Sequence, residues 1–109
     1  MIVRNERAET KQLGDKAVRK VLGTGGSLMM VEITFKKGGV GEVHAHQEHE
    51  QVSYIVKGSF EVVVGAEKKV VYAGDSFYAG LNVSHGVTAL EDSVILDVFT
   101  PVREDFLKE

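Results

Sequence analysis

Between residues 28 and 35 the side chains alternate in character. Met29, Val31, Ile33 and Phe35 fall on one face of an extended chain, Glu32 and Thr34 on the other. A period of two is what a half-buried strand requires, and Lys37-Gly38-Gly39 closes it. From Ala17 onward the chain reads as strands punctuated by glycine. Residues 43–56 give two strand pieces around the polar stretch Gln47-Glu48-His49-Glu50. Gly58 turns the chain into 60–64, Gly65-Ala66-Glu67 turns it into 70–72, and Gly74-Asp75 leads into 76–78. A loop through Gly80 and Asn82 precedes 83–89, Glu91-Asp92 is the last turn, and 94–100 is the last long strand. Pro101 has no N–H to give to a ladder, so the strand stops there. Residues 1–16 are polar and partly extended, and 103–108 suffice for one helical turn. About eight to ten short strands with turns at this spacing predict an all-β sandwich or barrel.

Composition agrees. Eighteen Val, four Ile and five Thr make a quarter of the 109 residues β-branched, and twelve Gly accompany a single Pro. Stiff side chains of this kind favour strands. The length allows one domain, and closing the sheet into a barrel is the fullest way for it to hide strand edges. A formal charge of −3 with no basic cluster offers little to a nucleic-acid backbone. Cysteine is absent, which excludes disulfides and thiolate chemistry. No apolar run has the length of a signal peptide or a membrane span, so the expected location is cytoplasmic.

Three of the four His fall within six residues: His44, His46 and His49. His44 and His46 are two apart in a strand-like stretch, so their side chains leave the same face. Such a pair can present two nitrogens to one divalent transition metal ion at about 2.0–2.2 Å. Alone, a His-x-His pair on a surface strand is more often a solvated pair. The context adds weight: Gly38 lies six residues before His44, and Gln51 lies five after His46 and seven before Gly58. Gly74, Gly80, Asn82 and His85 follow.

This pattern resembles the cupin superfamily. The first cupin motif runs Gly, five residues, His-x-His, three or four residues, an acid or its substitute, six residues, Gly. Here it is GGVGEVHAHQEHEQVSYIVKG, from Gly38 to Gly58. The second, GDSFYAGLNVSHG, carries Gly80 where the family usually has Pro and Asn82 where it usually has Gly. The resemblance implies a single cupin domain over 1–109, with 1–16 a polar N-terminal segment and 101–109 a short tail. It also implies a jelly-roll barrel and one metal ion held by His44, His46, His85 and a fourth ligand. The usual ligand lies seven residues before the closing Gly, which selects Gln51 over Glu50. Parity supports this choice, since Gln51, Ser53 and Ile55 share one face and Glu50, Val52, Tyr54 and Val56 the other. His49 is the spare, either a solvated turn residue or a group at the rim that helps place substrate.

In the last strand Asp97 sits among apolar neighbours, costly unless it is hydrogen-bonded or faces a polar cavity. Ile95, Asp97 and Phe99 share a face, and Arg103 follows Pro101 closely enough to fold over the barrel mouth. Arg recognises carboxylates through a planar fork, although a surface pair with Glu104 or another acid is the plainer reading. Leu28-Met29-Met30-Val31-Glu32, Gly74-Asp75-Ser76-Phe77-Tyr78 and above all DVFTPVREDFL, from Asp97 to Leu107, look like the KdgF-type pectin-degradation cupins. That resemblance implies conversion of 4,5-unsaturated monouronates to open-chain 4-deoxy-5-keto sugars. It places the metal ligands on His44, His46, Gln51 and His85, and catalytic groups on Asp97, Phe99 and Arg103. The chemistry needs no redox change, so Zn, Ni, Mn or Fe would serve. One departure is an extra residue between His46 and Gln51, which lengthens the turn at the mouth.

Two other functions fit the same cup. An iron or manganese dioxygenase would use coordination sites left open to oxygen. A non-catalytic module would bind a sugar acid and act through a partner. A homodimer is also expected, because a short barrel hides its apolar faces poorly. Val18, Val21 and the Met29/Met30 strand are the candidate contacts.

Overall fold

Strand β10 (Ser93–Thr100) frames the molecule, because strict alternation gives it one wholly internal face. Ser93, Ile95, Asp97 and Phe99 are buried while Val94, Leu96, Val98 and Thr100 are half-buried. The computed structural model describes residues 1–108. Their other strands are β1 (Glu9–Leu13), β2 (Ala17–Gly25), β3 (Leu28–Phe35), β4 (Val40–His44), β5 (Glu50–Lys57), β6 (Ser59–Val64), β7 (Glu67–Tyr72), β8 (Ser76–Ala79) and β9 (His85–Ala89). A short helix, α1 (Glu104–Leu107), follows the cis Thr100–Pro101 bond, and a single 3-10 turn covers Asn5–Arg7. The strands form a six-stranded sheet in the order β1-β2-β3-β10-β5-β8 and a four-stranded sheet in the order β4-β9-β6-β7. All pairings are antiparallel. This is the all-β jelly roll that the motif resemblance implies.

The two sheets close on Phe35, Ile55, Phe60, Val62, Ala89 and Ile95. Phe35 and Phe60 meet edge to face at 5.4 Å, a geometry worth about 0.5–1.5 kcal/mol beyond area burial. From Ile55 along β5 and from Ile95 along β10 the inner positions change character. They become Ser53 and Gln51 on one strand, Asp97 and Phe99 on the other, in register as Asp97↔Ser53 and Phe99↔Gln51. Past these two isoleucines the inner face therefore carries polar side chains beside Phe99. Gly58, between β5 and β6, has φ +82°, and a Cβ there would overlap the Ser93 side chain. Only glycine fits that turn.

Several boundaries differ from the alternation. β4 begins at Val40 and not at 43, because Val40 and Gly41 already pair with Thr88 and Val87. β7 begins at Glu67, which pairs with Val64 across the turn. β9 begins only at His85. The carbonyls of Val83 and Ser84 are taken by the His85 ring and by the N–H of Gly65, so neither residue joins the ladder. Within the polar N-terminal segment, residues 9–13 form an edge strand on β2. Of the Met29/Met30 strand, Met29 is fully buried and Met30, on the opposite face, is exposed; Val21 is half-buried and packs against the inner cluster.

Candidate active site

His44 ends β4 and His85 begins β9, and the two are cross-strand partners with ring centres 4.5 Å apart. His46, two residues on, lies with its ring centre 4.5 Å from that of His44 and 5.3 Å from that of His85. Backbone carbonyls set the tautomers. His44 Nδ1–H donates to Glu42 at 2.6 Å and His85 Nδ1–H to Val83 at 3.0 Å, leaving each Nε2 as a lone pair. Burial lowers the pKa of His85, partly offset by the Val83 carbonyl. Burial, then the charges of Arg103 and the neighbouring imidazoles, lowers that of His46 to about 4. Both rings are neutral at pH 7 and able to ligate.

Among the described residues these three His are brought together with ligand atoms within 4.8 Å of one another. His44 Nε2 and His46 Nε2 stand 3.1 Å apart. Nitrogens about 2.1 Å from a common ion lie about 3.0 Å apart at a right angle and about 3.4 Å apart at the tetrahedral angle. The observed spacing falls between the two. His85 Nε2 is buried with no hydrogen-bond partner among the described residues, which is costly unless something accepts its lone pair. The donor set fits a divalent transition metal ion.

A second chain of contacts runs beside the histidines. Gln51 is buried, and its amide N–H donates to Ser53 Oγ at 3.0 Å. Ser53 in turn donates to Asp97 Oδ1 at 2.5 Å. The amide nitrogen is spent on Ser53, and Gln51 lines one cavity with His44, His85 and Asp97. Glu50 has the opposite parity and accepts from the Tyr78 hydroxyl at 2.7 Å on the outer face. Asp97 is buried at the cavity wall, and burial pushes its pKa up to about 6 against the Ser53 hydrogen bond and the charges of His44 and Arg103. A carboxyl poised near neutrality in a cavity is suited to hold or release a proton.

The tail past Pro101 caps this end of the barrel. Arg103 and Phe106 line the same cavity of about 110 Å³ as Asp97 and Phe99. The Arg103 guanidinium pairs with Asp105, and its Nη1 lies 3.4 Å from His46 Nε2. His49 Nε2–H donates to the Val102 carbonyl at 3.2 Å, tying the lengthened histidine loop to the tail. Its partner is thus the backbone next to Arg103.

Residues 31–99 match the cupin domain family. Over 98 residues, 89% of each chain, the sequence is 45% identical to the pectin degradation protein KdgF of Dickeya dadantii (strain 3937). The chain is a KdgF-like cupin. The solved structure of KdgF from Halomonas sp. superposes with a TM-score of 0.93 at 36% identity, covering 97% of this chain and 99% of that one. An RmlC-like cupin from Shewanella frigidimarina NCIMB 400 gives 0.91 at 43% identity, covering 96% and 94%.

In this KdgF-like cupin the departures in the second motif have physical accounts. Asn82 has φ +62°, a left-handed conformation that Asn tolerates better than other non-glycine residues. Its N–H donates to the His46 carbonyl at 2.7 Å, so the loop is braced against the first motif. Three residues at the site escaped the sequence reading. Ser53, which parity places only on the face of Gln51, is the register partner and hydrogen-bond donor of Asp97. Phe106 is the aromatic three residues after Arg103, a helical-turn spacing that brings two side chains together. Arg19 is a charge on the inner face of β2, between Ala17 and Val21, and packs on the Phe106 ring.

Proposed function

We propose that this chain is a metal-dependent enzyme that converts 4,5-unsaturated monouronates from pectin or alginate breakdown to linear 4-deoxy-5-keto uronates. The observation that carries the reading is the buried Asp97 carboxyl, with a pKa of about 6, in one cavity with convergent imidazoles and a guanidinium at the mouth. The relatives named KdgF, one of them described as a pectin degradation protein, support the substrate class.

In this reading His44, His46, His85 and Gln51 hold one divalent ion, zinc, nickel, manganese or iron. All four ligands are neutral, so the site keeps the full +2 charge. A bound ion would supply Lewis acidity toward the anionic sugar. Arg103 takes the carboxylate from the mouth, and Phe99 is the apolar wall against the sugar. Asp97 gives its proton to the enol-ether carbon, the ring C–O bond breaks as the hemiacetal hydroxyl gives its proton to water, and Asp97 regains a proton from solvent. The product carries an aldehyde and a ketone. No electrons are gained or lost, so the reaction is an isomerisation.

Purified protein mixed with lyase-generated unsaturated monouronate should accelerate the loss of ultraviolet absorbance over buffer. No acceleration would overturn the reading. Turnover that depends on O₂ would indicate a dioxygenase, and saturable uronate binding without product a binding module. Arg103→Lys replaces a planar fork by a point charge and should raise KM roughly tenfold with kcat little changed.

We also propose that the chain works as a homodimer in the cytoplasm. Met30, Val52, Tyr54 and Tyr78 lie exposed on the outer face of the six-stranded sheet, where Met30, Val98, Val52 and Tyr78 follow one another across four strands. Sedimentation at micromolar concentration should give twice 11.9 kDa; a single monomeric species removes the proposal.

A further inference from the structure

Arg103 is held from several sides within the protein itself. Its Nε and Nη2 donate to the two carboxylate oxygens of Asp105 at 3.0 and 2.8 Å, filling the side-on fork of the guanidinium. Its Cζ lies 4.1 Å from the centre of the Phe106 ring and 5.4 Å from that of Phe99. Phe106 is fixed in turn. Phe99 meets it edge-on at 5.8 Å, and the Arg19 guanidinium lies 3.8 Å from its centre. Arg19 is buried in β2, so the stack is rooted in the barrel wall. What remains for a ligand is the end edge, with Nη1 beside His46.

We propose that Asp105 and Phe106 are positioning residues for Arg103. They turn its Nη1–Nη2 edge toward the histidine cluster, so that an anionic sugar is taken end-on while Asp105 keeps the side-on fork. This deepens the proposed function and rests on its assignment of Arg103 to the uronate carboxylate. The exposure of the pair supports it: the Arg103 side chain is 15% exposed and that of Asp105 59%. A ligand carboxylate seeking the side-on fork would have to leave the cavity for the solvent side. The end edge asks for no such movement. An arginine already fixed on its face and on one edge also loses less freedom when a ligand arrives.

The test uses zinc-loaded protein, which is diamagnetic, and D-galacturonate, a saturated uronate without the reactive double bond. Nitrogen NMR should show a slowly exchanging Arg103 Nε–H that disappears in Asp105→Ala and returns in Asp105→Glu. Calorimetry should show galacturonate Kd rising about three- to tenfold in Asp105→Ala, the size of immobilising one flexible side chain. That rise should vanish when Arg103→Ala is already present, because the effect runs through Arg103. Phe106→Leu, which keeps an apolar side chain but no ring face, should behave likewise. A protected Nε–H in Asp105→Ala, tighter galacturonate binding in that variant, or an equal loss without Arg103 would each overturn the proposal. If Arg103→Ala leaves galacturonate affinity unchanged, the carboxylate assignment falls, and the Nε–H signal still decides the positioning.

Discussion

Asp97→Asn should lower kcat by roughly 10²–10⁴ while leaving the metal content unchanged, and should raise the melting temperature of the metal-free protein at pH 7. Both effects have one cause. Asp97 is buried, and burial lifts its pKa from 3.8 to about 6. Between these values the folded state binds the proton more tightly than the unfolded chain. The stabilising protonated form is complete below about pH 4 and is lost as pH rises through 6. At pH 7 the buried carboxylate therefore costs about 3 kcal/mol relative to the unfolded chain. Asn still accepts from Ser53 but carries neither the charge nor the proton. Calorimetry should show a gain on the order of 10 °C at pH 7 and a smaller one at pH 5. Equal melting at both pH values, or unchanged kcat, would show that Asp97 neither pays this desolvation cost nor moves a proton.

His85→Ala should reduce metal affinity on the order of 100-fold or more. His44 and His46 come from the end of β4 and the loop after it, whereas His85 comes from β9. Among the described residues its Nε2 is the buried side-chain atom that lacks a hydrogen-bond partner. Without it two imidazoles remain, and the link between the two motifs is lost. Mass spectrometry of protein purified without a His tag should give close to one metal ion per native chain and far less in the variant. A chelator should lower the melting temperature of the native protein and leave that of His85→Ala unmoved, since a bound ion stabilises only the form that holds it. Equal metal content in the two proteins would remove His85 from the ligand set.

Much of this architecture was legible in the chain itself. The period of two is a local property, so parity could be read directly: Gln51, Ser53 and Ile55 are buried, while Val52, Tyr54 and Val56 are exposed. The same alternation places Ile95, Asp97 and Phe99 inside, and Pro101 follows the last strand as its missing N–H requires. The histidine spacing marks where an ion would be held. Pairing between distant strands was beyond reach. Asp97 meets Ser53 across 44 positions, and His44 meets His85 across a ladder whose register shifts between Gly41 and His44. Register depends on how two remote segments slide past each other, and local spacing does not encode it. The tail shows the same limit. Sequence alone brings Arg103 near the mouth and offers it a neighbouring acid, but the stacking of Arg103 and Arg19 on the Phe106 ring exists only once β2, β10 and α1 have packed together.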